Sequence, residues 1–417
     1  MKVILIAVFS MLLTGCASLS KGVAEAFLEN KKEDTKVCEI IGKRFSGVES
    51  TFQAESGVSK VLKIHGVGRH VPGYSTEFLE KLAVELDMPV RNSQFKEIKL
   101  TNSRFPDKNL GVLRVKRFLN ETETKELLFY ELTWSNITEE QKAELNYDTS
   151  GEYSYRRAEV NNMLKKFSND TSPDPMIFLG HRHDEIIASF TTAFCWMISA
   201  NWDELPDQSN QYCKFTSDKA LENLSIDNYS FVSHSLGSRI VIDGMQKIAK
   251  VIAKKTEGEI ASTRGNIFID KFKNLNITVY MLSNQLPLLQ MGQKPAEVTG
   301  RTEEFCTVNG SHYNERIIEG MEVIAFSDPN DILSYAIADG FVENNLDSRL
   351  CIDITNVTIN VVDIIDLFGL GKMANPMKAH TAYDGDDRVV ALIAKGIGTS
   401  NTAPIVNEKC SWVRLID

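Results

Sequence analysis

The chain has 417 residues, 43% hydrophobic and 24% charged, with 56 acidic against 46 basic side chains and a formal net charge of −10. Such a length and apolar content support a sizeable core, and the acidic balance excludes nucleic-acid binding as the main task. After residue 15 no stretch approaches the roughly 20 apolar residues that a transmembrane helix requires.

The first fifteen residues read as a targeting segment. Lys2 gives a positive start, residues 3–13 are apolar but too short to span a bilayer stably, and the small residues Thr14 and Gly15 precede Cys16. The ending Leu13-Thr14-Gly15-Cys16 resembles the lipobox of bacterial lipoproteins. That resemblance implies cleavage before Cys16, lipidation of its thiol and amine, and a membrane anchor. Since Ala17 rather than an aspartate follows, it also implies sorting to the outer membrane. A multi-chain anchor holds firmly because each buried CH₂ contributes about 0.8 kcal/mol. Residues 16–36, polar and charged around Lys31-Lys32-Glu33-Asp34, are expected to form a tether. The remaining cysteines, Cys38, Cys195, Cys213, Cys306, Cys351 and Cys410, are an even set suited to disulfides in an oxidising compartment. Cys195 and Cys213 are the closest pair and bracket a polar loop, while a Cys38–Cys410 bond would staple the two ends of the folded region.

Residues 37–417 read as one α/β domain. Early strands are expected within 38–53, and Val61-Leu62-Lys63-Ile64 is strand-like, ending in the turn His65-Gly66-Val67-Gly68-Arg69. Residues 110–118 and 126–134 cluster β-branched and aromatic side chains around 120–124, the pattern of an antiparallel hairpin. Thr138 with Gln141 has the spacing of a capping box opening a polar helix. The long stretch 136–228 exceeds what one crossover helix needs and predicts a helical cap insertion. Within it, the aromatics Phe190, Phe194, Trp196 and Trp202 either line an acyl pocket or pack a helix onto the sheet. Residues 361–373, apolar and jointed by glycines, read as either a lid or a buried connection.

The chemistry-bearing pieces sit at strand ends. Residues 229–232 form an apolar run, residues 239–254 are helix-like, and between them lies Ser233-His234-Ser235-Leu236-Gly237. A strand-turn-helix with small residues flanking a serine is how a nucleophile elbow presents its hydroxyl, although here Ser233 stands where glycine is usual. Val323-Ile324-Ala325-Phe326 reads as a buried strand running into Ser327-Asp328-Pro329-Asn330-Asp331, and residues 357–362 as a further strand preceding Ala379-His380-Thr381. Serine, acid and histidine occur in the order of a hydrolase triad. The glycines of the 65–69 turn leave backbone N–H groups free to receive a developing oxyanion.

These four motifs together resemble the α/β-hydrolase superfamily, in particular its lipase and esterase branches, over roughly residues 60–395. The resemblance implies a doubly wound, mostly parallel sheet with the site at the carboxyl ends of its strands. It implies Ser235 as nucleophile, His380 as base and Asp331 as acid, with Asp328 the alternative acid, better suited by its proline to turn formation. Val67 and Leu236 would supply oxyanion N–H groups, supported by Gly66 and Gly68. The expected activity is cleavage of acyl or lipid esters, without cofactor or metal. The alternatives are a non-catalytic binding protein of the envelope or cell surface on the same scaffold, and a peptidase or amidase using the same triad. His181-Arg182-His183-Asp184 lacks the i, i+4 spacing of zinc hydrolases. Asp384, Asp386 and Asp387 are read as turn and capping residues before a helix at 388–394. Oligomeric state is not set by the sequence.

Overall fold

The computed structural model describes residues 36–53, 57–88, 95–149, 157–206, 212–257, 263–366 and 372–416. The expected signal segment, Cys16 and nearly all of the tether lie outside the described residues. Two units emerge. In the smaller one, which takes in residues 363–373, the strands Ile365–Asp366 and Lys372–Met373 pair antiparallel, and the middle of the expected lid lies outside the described residues.

The larger unit is built on a ten-stranded sheet. Its strands are β1 (Cys38–Gly42), β2 (Ser59–Ile64), β3 (Phe95–Lys99), β4 (Val112–Leu119), β5 (Glu126–Thr133), β6 (Asn228–His234), β7 (Asn276–Leu282), β8 (Gly320–Ser327), β9 (Ile352–Ile359) and β10 (Ser411–Leu415). Their spatial order is β10-β1-β9-β8-β7-β6-β2-β5-β4-β3. The run from β9 to β5 is parallel throughout, and β4 and β3 continue it antiparallel. The hairpin expected from 110–134 is therefore β4–β5. The strand expected at 357–362 begins earlier, at Ile352, and ends at Ile359.

The labelled helices are α1 (Thr76–Glu85), α2 (Glu139–Glu144), α3 (Glu159–Thr171), α4 (Pro173–Leu179), α5 (His183–Ser199), α6 (Asp218–Ile226), α7 (Leu236–Glu257), α8 (Thr263–Phe272), α9 (Pro376–Thr381) and α10 (Asp387–Lys395). Alternate residues of the parallel strands feed two apolar layers, as a sheet covered on both faces requires. Leu62, Ile64, Tyr130, Leu132 and Phe231 pack with α5, α6, α7 and α8. Val61, Phe129, Val232, Ile324 and Phe326 pack with α1 and α10 on the opposite face. Two lysines sit within this interior. Lys60 is compensated by Asp227 at 2.8 Å and by the Met197 carbonyl at 2.8 Å, while Lys63 binds Asp384 at 2.5 Å.

The favoured bond Cys195–Cys213 ties α5 to the segment before α6; Cys38–Cys410 ties β1 to the residue before β10, and Cys306–Cys351 is the third. The aromatics of 186–202 pack rather than line a pocket. Phe190 and Phe194 are fully buried, Phe231 packs edge-on against both, and Gly244 is needed because a Cβ there would stand 2.1 Å from the Phe190 ring. Thus α5 is the crossover helix on the sheet, and the surplus in 136–228 consists mainly of α2, α3 and α4. The expected capping box at Thr138 does not form: Thr138 is itself in the helical region, at φ −100° and ψ −8°, its side chain accepts from no helix N–H, and its Oγ1 donates back to the Ser135 carbonyl at 3.0 Å.

Candidate active site

From β2 the chain goes to the sheet edge at β3 and returns through β4 to β5 beside β2, then crosses to place β6 on the other side of β2. Such a switch in strand order opens a crevice at the carboxyl ends, where α/β sheets bind ligands. Register sets what meets there: Ile64 pairs with Ser233, His234 with Leu282, and Met281 with Ala325. The residues immediately beyond these strands are therefore neighbours.

Ser235 is the hinge between β6 and α7, with φ +55°. A left-handed conformation at a non-glycine residue costs roughly 1–3 kcal/mol and persists only where the surroundings enforce it. Here the Ser235 N–H donates to the Leu282 carbonyl at 2.9 Å, and its own carbonyl accepts from the Ser238 N–H at 3.0 Å. Gly237 is required by closeness: a Cβ there would lie 2.8 Å from the Ile64 carbonyl oxygen. At Gly66 it would lie 2.6 Å from Ser235 Cβ. Ser233, by contrast, is outside the positive-φ set and buried, with its Oγ 3.3 Å from the Tyr280 carbonyl. That position needs a small residue, not the freedom of glycine.

Ser235 Oγ stands 3.1 Å from His380 Nε2, and His380 Nδ1 stands 3.0 Å from each Asp331 oxygen. An ionised carboxylate only accepts, so Nδ1 carries the ring proton and Nε2 turns its lone pair to Ser235. Burial alone would raise the Asp331 carboxyl, but hydrogen bonds from His380 and Ser283 outweigh it and hold it below the usual range. Asp328 lies elsewhere in the turn. Its carboxylate accepts from Asn330 N–H at 2.7 Å and Val361 N–H at 2.7 Å, which folds the loop rather than touching the histidine.

Two residues given no catalytic part by the sequence complete this cluster. Ser283, at φ +49° directly after β7, donates its hydroxyl to Asp331 Oδ2 at 2.6 Å and lies 2.8 Å from His380 Nδ1. An apolar run ending in Ser283-Asn284 is the signal that locates it. His234 donates from Nε2 to the His380 carbonyl at 2.7 Å, and burial, with His380 nearby, lowers it to about 4, so it stays neutral.

The 65–69 turn sits beside the elbow. His65 Nε2 accepts from the Trp134 N–H at 3.1 Å, which leaves Nδ1 as a donor to the Gly66 carbonyl at 2.8 Å. Burial, then the adjacent His70, keeps His65 well below its ordinary value and neutral. His70 Nε2 donates to the Val67 carbonyl at 3.2 Å, and Asp174 Oδ2 accepts from the Gly68 N–H at 2.7 Å. Among the described residues the N–H groups of Val67 and Leu236 have no acceptor.

The remaining polar motifs are occupied structurally. Asp386 caps α10 and pairs with Arg388 at 2.8 Å, Asp387 pairs with Lys81 at 2.6 Å, and His183 donates to the Phe178 carbonyl at 3.1 Å. Among the described residues no group of three or more His, Cys, Asp or Glu side chains could hold a metal ion. Along the chain, Ile332 and Leu333 directly follow Asp331, and Met377 stands one helical turn before His380; all three are exposed. The helix α3 exposes Val160, Met163, Leu164 and Phe167, while its Asp170 accepts from Arg69 N–H at 3.1 Å. Searched against protein families, curated proteins and solved structures, the chain finds no match.

Proposed function

We propose that this chain is a serine hydrolase of the α/β-hydrolase type that cleaves carboxylic esters. The observation that carries the proposal is the hydrogen-bonded line Ser235–His380–Asp331, with separations of 3.1 and 3.0 Å, at a strand-to-helix turn whose serine has φ +55°. His380 would take the proton of Ser235 as Oγ attacks the ester carbonyl. Asp331 holds the tautomer and stabilises the imidazolium. The unpaired N–H groups of Val67 and Leu236 would receive the oxyanion, where a donor is worth about 3–4 kcal/mol of transition-state stabilisation. His380 then protonates the leaving alcohol, and water repeats the cycle on the acyl-enzyme.

Acyl or lipid esters are the favoured substrates, supported by the exposed apolar side chains of α3 and by the exposed Ile332, Leu333 and Met377, which adjoin Asp331 and His380 in the chain. The lipobox-like Leu13-Thr14-Gly15-Cys16 and the three disulfides support an envelope-facing, lipid-anchored enzyme. Fluorophosphonate labelling tests the reaction class: the full chain should label at Ser235 and Ser235→Ala should not. A folded chain that never labels, or labels equally without Ser235, ends this reading.

A further inference from the structure

The 65–69 turn contains two peptide groups whose orientation decides where the Val67 N–H points. Together they carry four polar groups. The Gly66 carbonyl is held by His65 Nδ1 at 2.8 Å, the Val67 carbonyl by His70 Nε2 at 3.2 Å, and the Gly68 N–H by Asp174 at 2.7 Å. Only the Val67 N–H is left. Two of the three clamps come from the turn itself. The third arrives from far along the chain, at the corner where α3 meets α4, inside the stretch read as a cap.

That corner is built as a charged socket. Asp174 is fully buried, and Lys142 of α2 donates to the same Oδ2 at 2.7 Å. Next to it Asp170 accepts from Arg69 N–H at 3.1 Å and lies 3.8 Å from Lys142. Successive N–H groups of the turn, at Gly68 and Arg69, thus end on successive carboxylates of one corner. Gly68 has φ +95°, a conformation that glycine takes freely and a side chain would resist, so the residue that lets the turn form brings no side chain of its own to fix it. A buried carboxylate is stable only when compensated, which is the part Lys142 plays.

We propose that Asp174, charge-compensated by Lys142, is a positioning residue that fixes the Val67–Gly68 peptide, so that the α3–α4 corner governs whether the oxyanion turn is formed. The proposal rests on the Val67 N–H being an oxyanion donor. It makes the cap insertion part of the catalytic assembly: displacement of α3 and α4 would release the Gly68 N–H, leave the Val67–Gly68 peptide held by His70 alone and so loosen the turn that carries the Val67 N–H, while leaving Ser235, His380 and Asp331 in place.

The test is steady-state hydrolysis of a soluble p-nitrophenyl ester by the full chain, paired with the affinity of a trifluoromethyl ketone, which forms a tetrahedral oxyanion on the serine. Asp174→Ala should lower kcat about 30-fold with KM within about twofold, and weaken the ketone in parallel, since losing an oxyanion donor outright costs 10²–10³. Asp174→Asn, whose amide oxygen still accepts from Gly68, should recover kcat to within about threefold of wild type. If Asp174→Ala does not fold, the double variant Lys142→Met/Asp174→Leu replaces the buried pair by apolar groups of similar size, a change folds tolerate. It should show the same kcat loss. Wild-type kcat and ketone affinity in the folded acceptor-less variant, or an equal loss in Asp174→Asn, overturns the proposal. A wild-type chain that neither hydrolyses the ester nor binds the ketone removes the serine-hydrolase reading itself, and this proposal with it.

Discussion

The two halves of the candidate site are made of different material. On the β6–β8 side, side chains carry the arrangement: Ser235, Ser283 and Asp331 follow successive strands, and His380 reaches across them. On the β2–β5 side, the group offered to the site is a main-chain N–H, that of Val67, and side chains serve only to hold the peptides around it. His65 and Trp134 lock one peptide, His70 and Asp174 the next. A side-chain half can be broken one atom at a time, whereas a main-chain half can be broken only through what clamps it.

The largest effect should come from the nucleophile. Ser235→Ala is expected to lower kcat by roughly 10⁵–10⁶, as loss of a triad serine does, with melting temperature unchanged or raised, because alanine relieves no hold on the φ +55° turn. Residual ester turnover at wild-type rate in the purified variant would dissolve the distinction between the two halves. Next comes the acid. Asp331→Asn should cost about 10⁴ in kcat by presenting the wrong tautomer. Asp328→Asn should instead lower the melting temperature with kcat nearly intact, since that carboxylate holds Asn330 and Val361. Reversed outcomes for the two aspartates would exchange their places in the mechanism.

Smaller still is the effect expected at Ser283. Its hydroxyl donates to a buried, ionised carboxylate, an interaction worth about 1.5 kcal/mol or more. Ser283→Ala should therefore reduce kcat about tenfold with the fold retained. An unchanged kcat would show that Ser283 only fills space.

Legibility in the sequence follows the same division. Ser235, His380 and Asp331 could be found because a side-chain half advertises itself by residue type at strand ends and by order along the chain. The sheet was legible for a related reason: buried parallel strands are continuous apolar runs. What lay hidden depends on long-range contact. Asp174 is 106 positions from the Gly68 N–H it receives, and no local pattern links them. Trp134 reaches His65 only because β2 and β5 are neighbours. The aromatics of α5 were ambiguous because a helix that packs on a sheet and one that lines an apolar pocket need the same residues; Gly244 against Phe190 decides for packing. Thr138 shows that cap spacing needs extended backbone at the cap as well: with helical φ/ψ its hydroxyl turns back to the Ser135 carbonyl instead of onto the first N–H groups of α2.

The mildest prediction uses the two ends of one strand. Asp331 lies beyond the carboxyl end of β8 and is held low by donors, whereas Glu322, near its amino end, has the opposite surroundings. Burial pushes the Glu322 carboxyl up to about 7, with Asp353 alongside on β9 adding to the rise and Lys43 only partly offsetting it. A carboxyl raised on folding binds its proton more tightly in the native state than in the unfolded one, where the ordinary value is about 4.3. Its contribution to stability is therefore complete below that unfolded value and is lost as pH climbs towards 7. Glu322→Gln, which keeps the shape but cannot ionise, should melt with wild type at pH 4 and about 2 °C above it at pH 8. Thermal melts at the two pH values decide it. A gain of equal size at both would mean that the glutamine stabilises by packing, and that the carboxylate at this end of β8 is not disfavoured by its surroundings.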